Sequence, residues 1–222
     1  MIDPVTRLAD NQSIQSISRR AALLLGAGSL LTASGLLAAC NVIPEVNKPL
    51  NLYSVSPQVA PVANPPALDW QLVVAEPKAG ADLATNRIAL TRAANRIEYF
   101  AEGVWSDAAP ALVQSKLIEA FEDVVPQLAV GRDSAGLKPA YILQSELRDF
   151  EAAYNGAAGE AVVRITAKLV KMPERKIVKS ISAEARQPAS GGGLPAIVSA
   201  FETALGNVFN ELIAGVLAAP QS

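Results

Sequence analysis

The chain has 222 residues, half of them apolar, with 19 Lys and Arg against 21 Asp and Glu and a formal net charge of −2. That is material for one ordinary domain core, and balanced charge without a basic block leaves no footprint for nucleic acid. With no histidine and one cysteine, imidazole bases, Ser–His catalysis, His-ligated zinc, CxxC sites and internal disulfides are all excluded. A carboxylate-dependent hydrolase survives this filter, because glycoside hydrolysis needs only two acids. No cofactor, metal or catalytic set is expected.

The first element is an address. A polar stretch ends in Arg19-Arg20, and an uncharged run, "AALLLGAGSLLTASGLLAA" at 21–39, leads to the lone Cys40. A positive region, an apolar region and small residues before a cut describe an export signal over residues 1–39. The run is nearly long enough to span a bilayer, but glycines and serines dilute it and no cationic flank follows. Leu37-Ala38-Ala39-Cys40 resembles the bacterial lipobox. The resemblance implies diacylglycerol on the Cys40 sulfur, cleavage before it and acylation of the new amino group, since stable anchoring takes more than one chain. Arg19-Arg20 before Leu23-Leu24-Leu25 is similar to a twin-arginine signal. Ala22 stands where that signal favours a bulky residue, and an ordinary secretory signal fits as well. Asn41, rather than aspartate, points to the outer membrane, with inner-membrane retention still open. Twenty residues ahead of the apolar run leave the true start open.

Residues 40–67 follow as a lipidated cysteine and a tether, with prolines at 44, 49, 57, 61, 65 and 66 favouring extended chain. "LYSV" at 52–55 is a short strand within it, so the domain of residues 68–222 has a first strand from 52. "LDWQLVVAEP" predicts a strand closed by Pro77. Residues 87–92 and 96–105 predict a hairpin, with Ile97, Tyr99, Ala101 and Trp105 on one face of the second strand. Ser106 or Asp107 is placed to cap a helix near 108–125, with Pro110 in its first turn. Val113, Leu117, Ala120, Phe121 and Val124 form the apolar side of that helix.

Two long strands, 140–154 and 160–172, meet at "NGAAG", which is turn chemistry. Val163, Ile165, Ala167 and Leu169 alternate with Arg164, Thr166 and Lys168. A strand at 176–187 turns Ile177, Ile181, Ala183 and Ala185 one way. After "SGGG" at 190–193, which lacks the Lys-Ser/Thr of a phosphate loop, a helix runs from 194 to 217 with a stripe of Ile197, Phe201, Leu205, Val208 and Leu212. Its end, "LIAGVLAAP", is apolar on nearly every side, which fits either a partner contact or full burial. The order predicts an α+β two-layer sandwich, an antiparallel or mixed sheet covered by two amphipathic helices.

Little chemistry stands out. Glu119, Glu122 and Asp123 form one carboxylate cluster and Glu146, Asp149 and Glu151 another, both read as solvated faces. Trp105, Phe150 and Tyr154 are read as packing residues before ligand-stacking ones.

Laid out this way, the chain resembles the ABC-type transport auxiliary lipoprotein family over roughly Leu52 to Leu217. The carrying stretches are "LYSVSP", "ADLATNRIALTRAANRIEYFAEGVWSDAAPALVQSKLIEAFE" and "AYILQSELRDFEAAY". The resemblance implies a non-catalytic, lipid-anchored periplasmic component of an envelope transporter. Its partners would be an inner-membrane ABC permease and ATPase and an MCE-domain substrate-binding subunit, with phospholipid or a related lipid as cargo. A homo-oligomer is left open. The alternative is an outer-membrane assembly lipoprotein partnering a β-barrel translocon, and a cell-wall hydrolase using Glu146 or Glu119 ranks third. Mass spectrometry of the membrane-extracted protein should find a first residue of Cys40 carrying diacylglycerol on sulfur. Cys40→Ala should accumulate uncleaved precursor.

Overall fold

The computed structural model describes residues 50–63, 68–133, 136 and 138–219. Cys40, the lipobox residues Leu37, Ala38 and Ala39, and Arg19 and Arg20 lie outside the described residues. Among the described residues, those ahead of 68 pair with and pack on the rest of the domain.

Nine strands make one mixed sheet, and two helices cover one of its faces. In chain order they are β1 (Asn51–Tyr53), β2 (Gln71–Val74), β3 (Lys78–Ala79), β4 (Arg87–Ala93), β5 (Arg96–Trp105), α1 (Ala109–Val124), β6 (Ala129–Arg132), β7 (Tyr141–Asn155), β8 (Ala158–Lys171), β9 (Lys176–Pro188) and α2 (Gly193–Leu217). The spine is β7. Along one edge it pairs antiparallel with β8 from Tyr141↔Lys171 to Asn155↔Ala158, and β8 pairs with β9. Along the other edge three short parallel partners share it in turn: β2 at 141–143, β3 at 146–147 and β4 at 151–153. Outside these lie β6 on β2, and β5 then β1 on β4.

The predicted strands are present, with three differences of register or extent. Pro77 interrupts rather than closes its segment, because it has no N–H to give a ladder; β2 ends before it and β3 begins after it. In β5, Ala89 pairs with Tyr99 but Arg87 with Val104, so extra residues bulge out between them. A bulge inverts the alternation beyond it. Tyr99 therefore shares the open face with Ile97, whereas Trp105 turns into the core, correcting the single face expected for Ile97, Tyr99, Ala101 and Trp105. In β9, Leu169 pairs with Lys179 but Val170 with Ile177. The extra residue, Val178, packs on the core while Ile177 is 51% exposed, so Ile177 leaves the face that Ile181, Ala183 and Ala185 share.

Under the helices, Trp105, Phe150 and Phe201 form a fully buried aromatic triad, with centroids 5.2, 5.3 and 4.7 Å apart. Each such pair contributes roughly 0.5–1.5 kcal/mol beyond its area burial. The predicted side of α1 is all buried. Its N-cap is Ala108, not Ser106 or Asp107, although the Asp107 Oδ1 accepts the Ala108 N–H at 2.7 Å. The predicted stripe of α2 is buried too, and Leu212, Ile213 and Val216 at its end reach at most 1% exposure. Most of that wide apolar end is used inside the domain.

The extra width has a cause. Residues 54–63 run as an extended strap along α2. Val55 is fully buried, and Val59 and Val62 pack on the core. The Ser56 N–H donates to the Glu202 carboxylate at 3.0 Å, and the Ala60 N–H to the Asn210 side chain at 2.9 Å. Between these two clasps a Cβ on Gly206 would lie 2.3 Å from the Gln58 carbonyl oxygen, so only glycine lets the strap approach. Gly206→Ala should displace the strap and cost about 1–3 kcal/mol. An unchanged urea midpoint would show that the strap bears no weight.

Candidate functional site

The open face of the sheet carries the polar chemistry, and it follows from alternation along β7, β8 and β9. Odd positions of β8 from 161 to 169 face the helices and are buried, so the even ones turn outward. Register sets Asp149, Arg164 and Glu184 in one row across three strands, and Glu151, Val162 and Arg186 in the next. Asp149 accepts from the Arg164 guanidinium. Arg186 reaches Glu160 at 2.9 Å and Glu184 at 3.2 Å. The Asp149 hydrogen bond raises the Arg164 pKa, and the Glu160 hydrogen bond raises that of Arg186. This is a lattice of alternating charge.

Where β7's neighbour changes from β2 to β3, a groove of about 280 Å³ opens over this face, lined by Glu76, Lys78, Gln144, Glu146, Arg148 and Lys168 among others. Both signs of charge meet there, and Glu146 is paired with Arg148. At the sheet's core side the polar groups are few. The buried Gln114 donates to the Val74 carbonyl at 2.9 Å and accepts from Arg132 at 3.1 Å, tying α1 to β2 and β6.

The two carboxylate clusters do not converge. Glu119, Glu122 and Asp123 are exposed on α1, over the covered face, and Glu119 pairs with Lys116 at 2.7 Å. Glu146, Asp149 and Glu151 lie on the opposite face, each with its own partner. Among the described residues no three His, Cys, Asp or Glu side chains gather to hold a metal ion, and no helix is long and apolar enough to cross a membrane. Trp105 and Phe150 are core residues. Tyr154 is half-buried, 6.4 Å from Phe100 and with Arg92 4.9 Å over its ring. The basic residues Lys78, Arg148 and Arg186 were not singled out in the sequence. Alternation with Ala183 and Ala185 was the available signal for Arg186, whereas Lys78 and Arg148 reach this face through strand register.

The Glu151 carboxyl is partly buried between β4 and β7. Burial raises its pKa above the ordinary 4.5, opposed by its hydrogen bond with Thr91 at 3.2 Å and reinforced by the charges of Asp149 and Asp82. A carboxyl held above its unfolded value contributes stability that is full below that value and lost as pH rises through the raised one. Glu151→Gln should therefore equal or exceed the unsubstituted protein in stability at pH 7. The gap, followed by urea denaturation, should close as the pH falls below 4.5.

Known proteins share this fold. The profile of the ABC-type transport auxiliary lipoprotein component family matches residues 51–213. A crystal structure of a Xanthomonas campestris protein superposes with a TM-score of 0.70 at 27% identity, covering 75% of this chain and 95% of that one. A second crystal structure covers 77% of this chain and 97% of its own at a TM-score of 0.56 and 12% identity, and shows the fold alone. A protein of Bradyrhizobium diazoefficiens is 30% identical over 146 residues, 66% of this chain; the chain spans 39% of that relative's length. From β1 to the last turns of α2, the chain belongs to the family of auxiliary lipoprotein components of ABC-type transport.

Proposed function

We propose that the protein is anchored through an acylated Cys40 to the periplasmic face of the outer membrane and serves an MCE-type envelope transporter as a non-catalytic component. Its partners are then an inner-membrane ABC permease and ATPase and an MCE-domain subunit, and the cargo is phospholipid or a related lipid. The observation that carries this reading is the family match across β1 to α2. Glu119 and Glu146 lie on opposite faces of the sheet, so these two cannot serve as one acid pair, because paired-carboxylate hydrolysis needs its two acids within about 5–9.5 Å of each other around one bond. The lattice of alternating charge on β7, β8 and β9 suits docking instead. Complementary charge across an interface sets register and rejects wrong partners more than it adds affinity.

Crosslinked pull-down from intact envelopes tests the reading. The native protein should recover an ABC ATPase and an MCE-domain subunit, and Cys40→Ala should lose both. Recovery of an outer-membrane barrel in their place would favour the assembly-lipoprotein alternative. A second handle is the lattice itself. Arg164→Glu with Arg186→Glu reverses two exposed cations and should abolish recovery of the partner while leaving the fold's circular dichroism unchanged.

A further inference from the structure

Four large apolar side chains stand exposed among the described residues: Leu50 at 54%, Leu52 at 71%, Ile97 at 42% and Ile177 at 51%. Ile97 sits at the β4–β5 hairpin, two residues along the open face from Tyr99, and Ile177 lies beyond the β9 bulge; single exposed apolar side chains of this kind are common on protein surfaces. Leu50 and Leu52 are different. They are two residues apart where the chain enters β1, so they point to one side. Tyr53, next along, lies against Gly103 on the covered side, which puts both leucines on the open face. Register continues their row: Leu52 pairs with Val104, and Val104 with Arg87. The Arg87 guanidinium lies 3.7 Å over the Tyr99 ring. One corner of an otherwise charged face thus presents two leucines, a half-buried valine, a cation and an aromatic ring.

Chain length says what this corner meets. The strap clasps residues 54–63 to α2, so the span from 50 onward cannot pay out as tether. Ten steps separate Leu50 from Cys40, at most about 33–36 Å of extended chain. The 15 residues of β7 alone run about 50 Å at 3.3 Å per residue. The corner at β1 is therefore held nearer to an anchored Cys40 than the far parts of the sheet need be. A tether this short also gives its own membrane a high effective concentration at the corner, so weak contacts suffice. Leucines that enter the acyl boundary, with arginine and tyrosine at headgroup depth, are the side chains such a surface takes.

We propose that Leu50 and Leu52 rest in the surface of the bilayer to which Cys40 is attached, with Arg87 at the lipid phosphates, so that β1 faces the membrane and β9 faces away. This rests on the reading that Cys40 carries the lipid.

The test uses the full mature lipoprotein in vesicles of phosphatidylethanolamine and phosphatidylglycerol containing a lipid with a nitroxide near its headgroup. Leu52→Cys and, separately, Ile177→Cys carry an environment-sensitive fluorophore. The label at 52 should lose at least half its emission to the nitroxide lipid, and the label at 177 little. Leu50→Asp in the Leu52→Cys background should restore at least half of the lost emission. If the protein floats with the vesicles and both labels behave alike, the proposal is overturned while the anchor stands. If unlabelled Leu52→Cys oxidises to a disulfide-linked dimer and its labelled form is not quenched, the corner is a contact between copies and the proposal is overturned. If the protein does not float and its first peptide lacks diacylglycerol, the anchor reading falls, and this proposal with it.

Discussion

The length of β7 is the constraint on which the remainder depends. Strands of four, two and seven residues are too short to hold a sheet by themselves, since short hairpins are at best marginal in water. They hold here because one 15-residue strand serves all three as a common template, backed over its whole length by β8. The parallel partners need crossovers between them and β7, and α1 with β6 supplies the route from β5 to β7. The crossover helix α1 and the terminal helix α2, which follows the last strand, pack on the same side and leave the other bare. Two unlike faces are the direct consequence.

Each face then obeys its own energetics. On the covered face Trp105, Phe150 and Phe201 come from β5, β7 and α2, so the triad joins three segments far apart in sequence, and it forms only because the β5 bulge turns Trp105 inward. Core aromatics of this kind are worth about 3–5 kcal/mol each when truncated. On the open face the pairs of Arg164 and Arg186 are solvent-exposed, and such pairs typically contribute about 0.2–1 kcal/mol or nothing measurable. Stability is thus set by one face, and the residues of the other are free to be chosen for what they meet.

Much of this was legible in sequence, and what was not has a common cause. Period-two alternation in 160–172 and period 3.6 in 108–125 and 194–217 are local signals, and β8, α1 and α2 follow them closely. Bulges are not local. Nothing in "RIEYFAEGVW" by itself tells that the ladder with β4 slips after Tyr99, and the same holds for Val178 against β8. Likewise β3 and β6 are two and four residues long, below what pattern can detect, and exist because β7 and β2 offer them free edges. For the polar face, the alternation assigned Arg164, Thr166 and Lys168 outward, but the partners Asp149, Glu160 and Glu184 become neighbours only through register. The family motifs were readable because they are mostly structural: a strand ending near a buried tryptophan, then an amphipathic helix.

The strap shows the same limit where it matters most for function. Proline at 57 and 61 describes extended chain equally well whether it is free in solvent or laid on a helix, because polyproline conformation makes no internal hydrogen bonds and its backbone groups are open to either partner. The difference lies in Glu202, Gly206 and Asn210 on α2, about 150 residues downstream, which supply two acceptors and one gap along the strap. A free tether of 27 residues and a docked one with ten residues left are different machines. The first lets the domain sample a volume whose radius exceeds its own size. The second fixes which corner lies nearest residue 50 and whatever precedes it, and ordering the strap once, during folding, avoids that entropy cost at each encounter. Under the proposed role of a component that presents a surface to its partners, the docking of the strap matters as much as the face it orients.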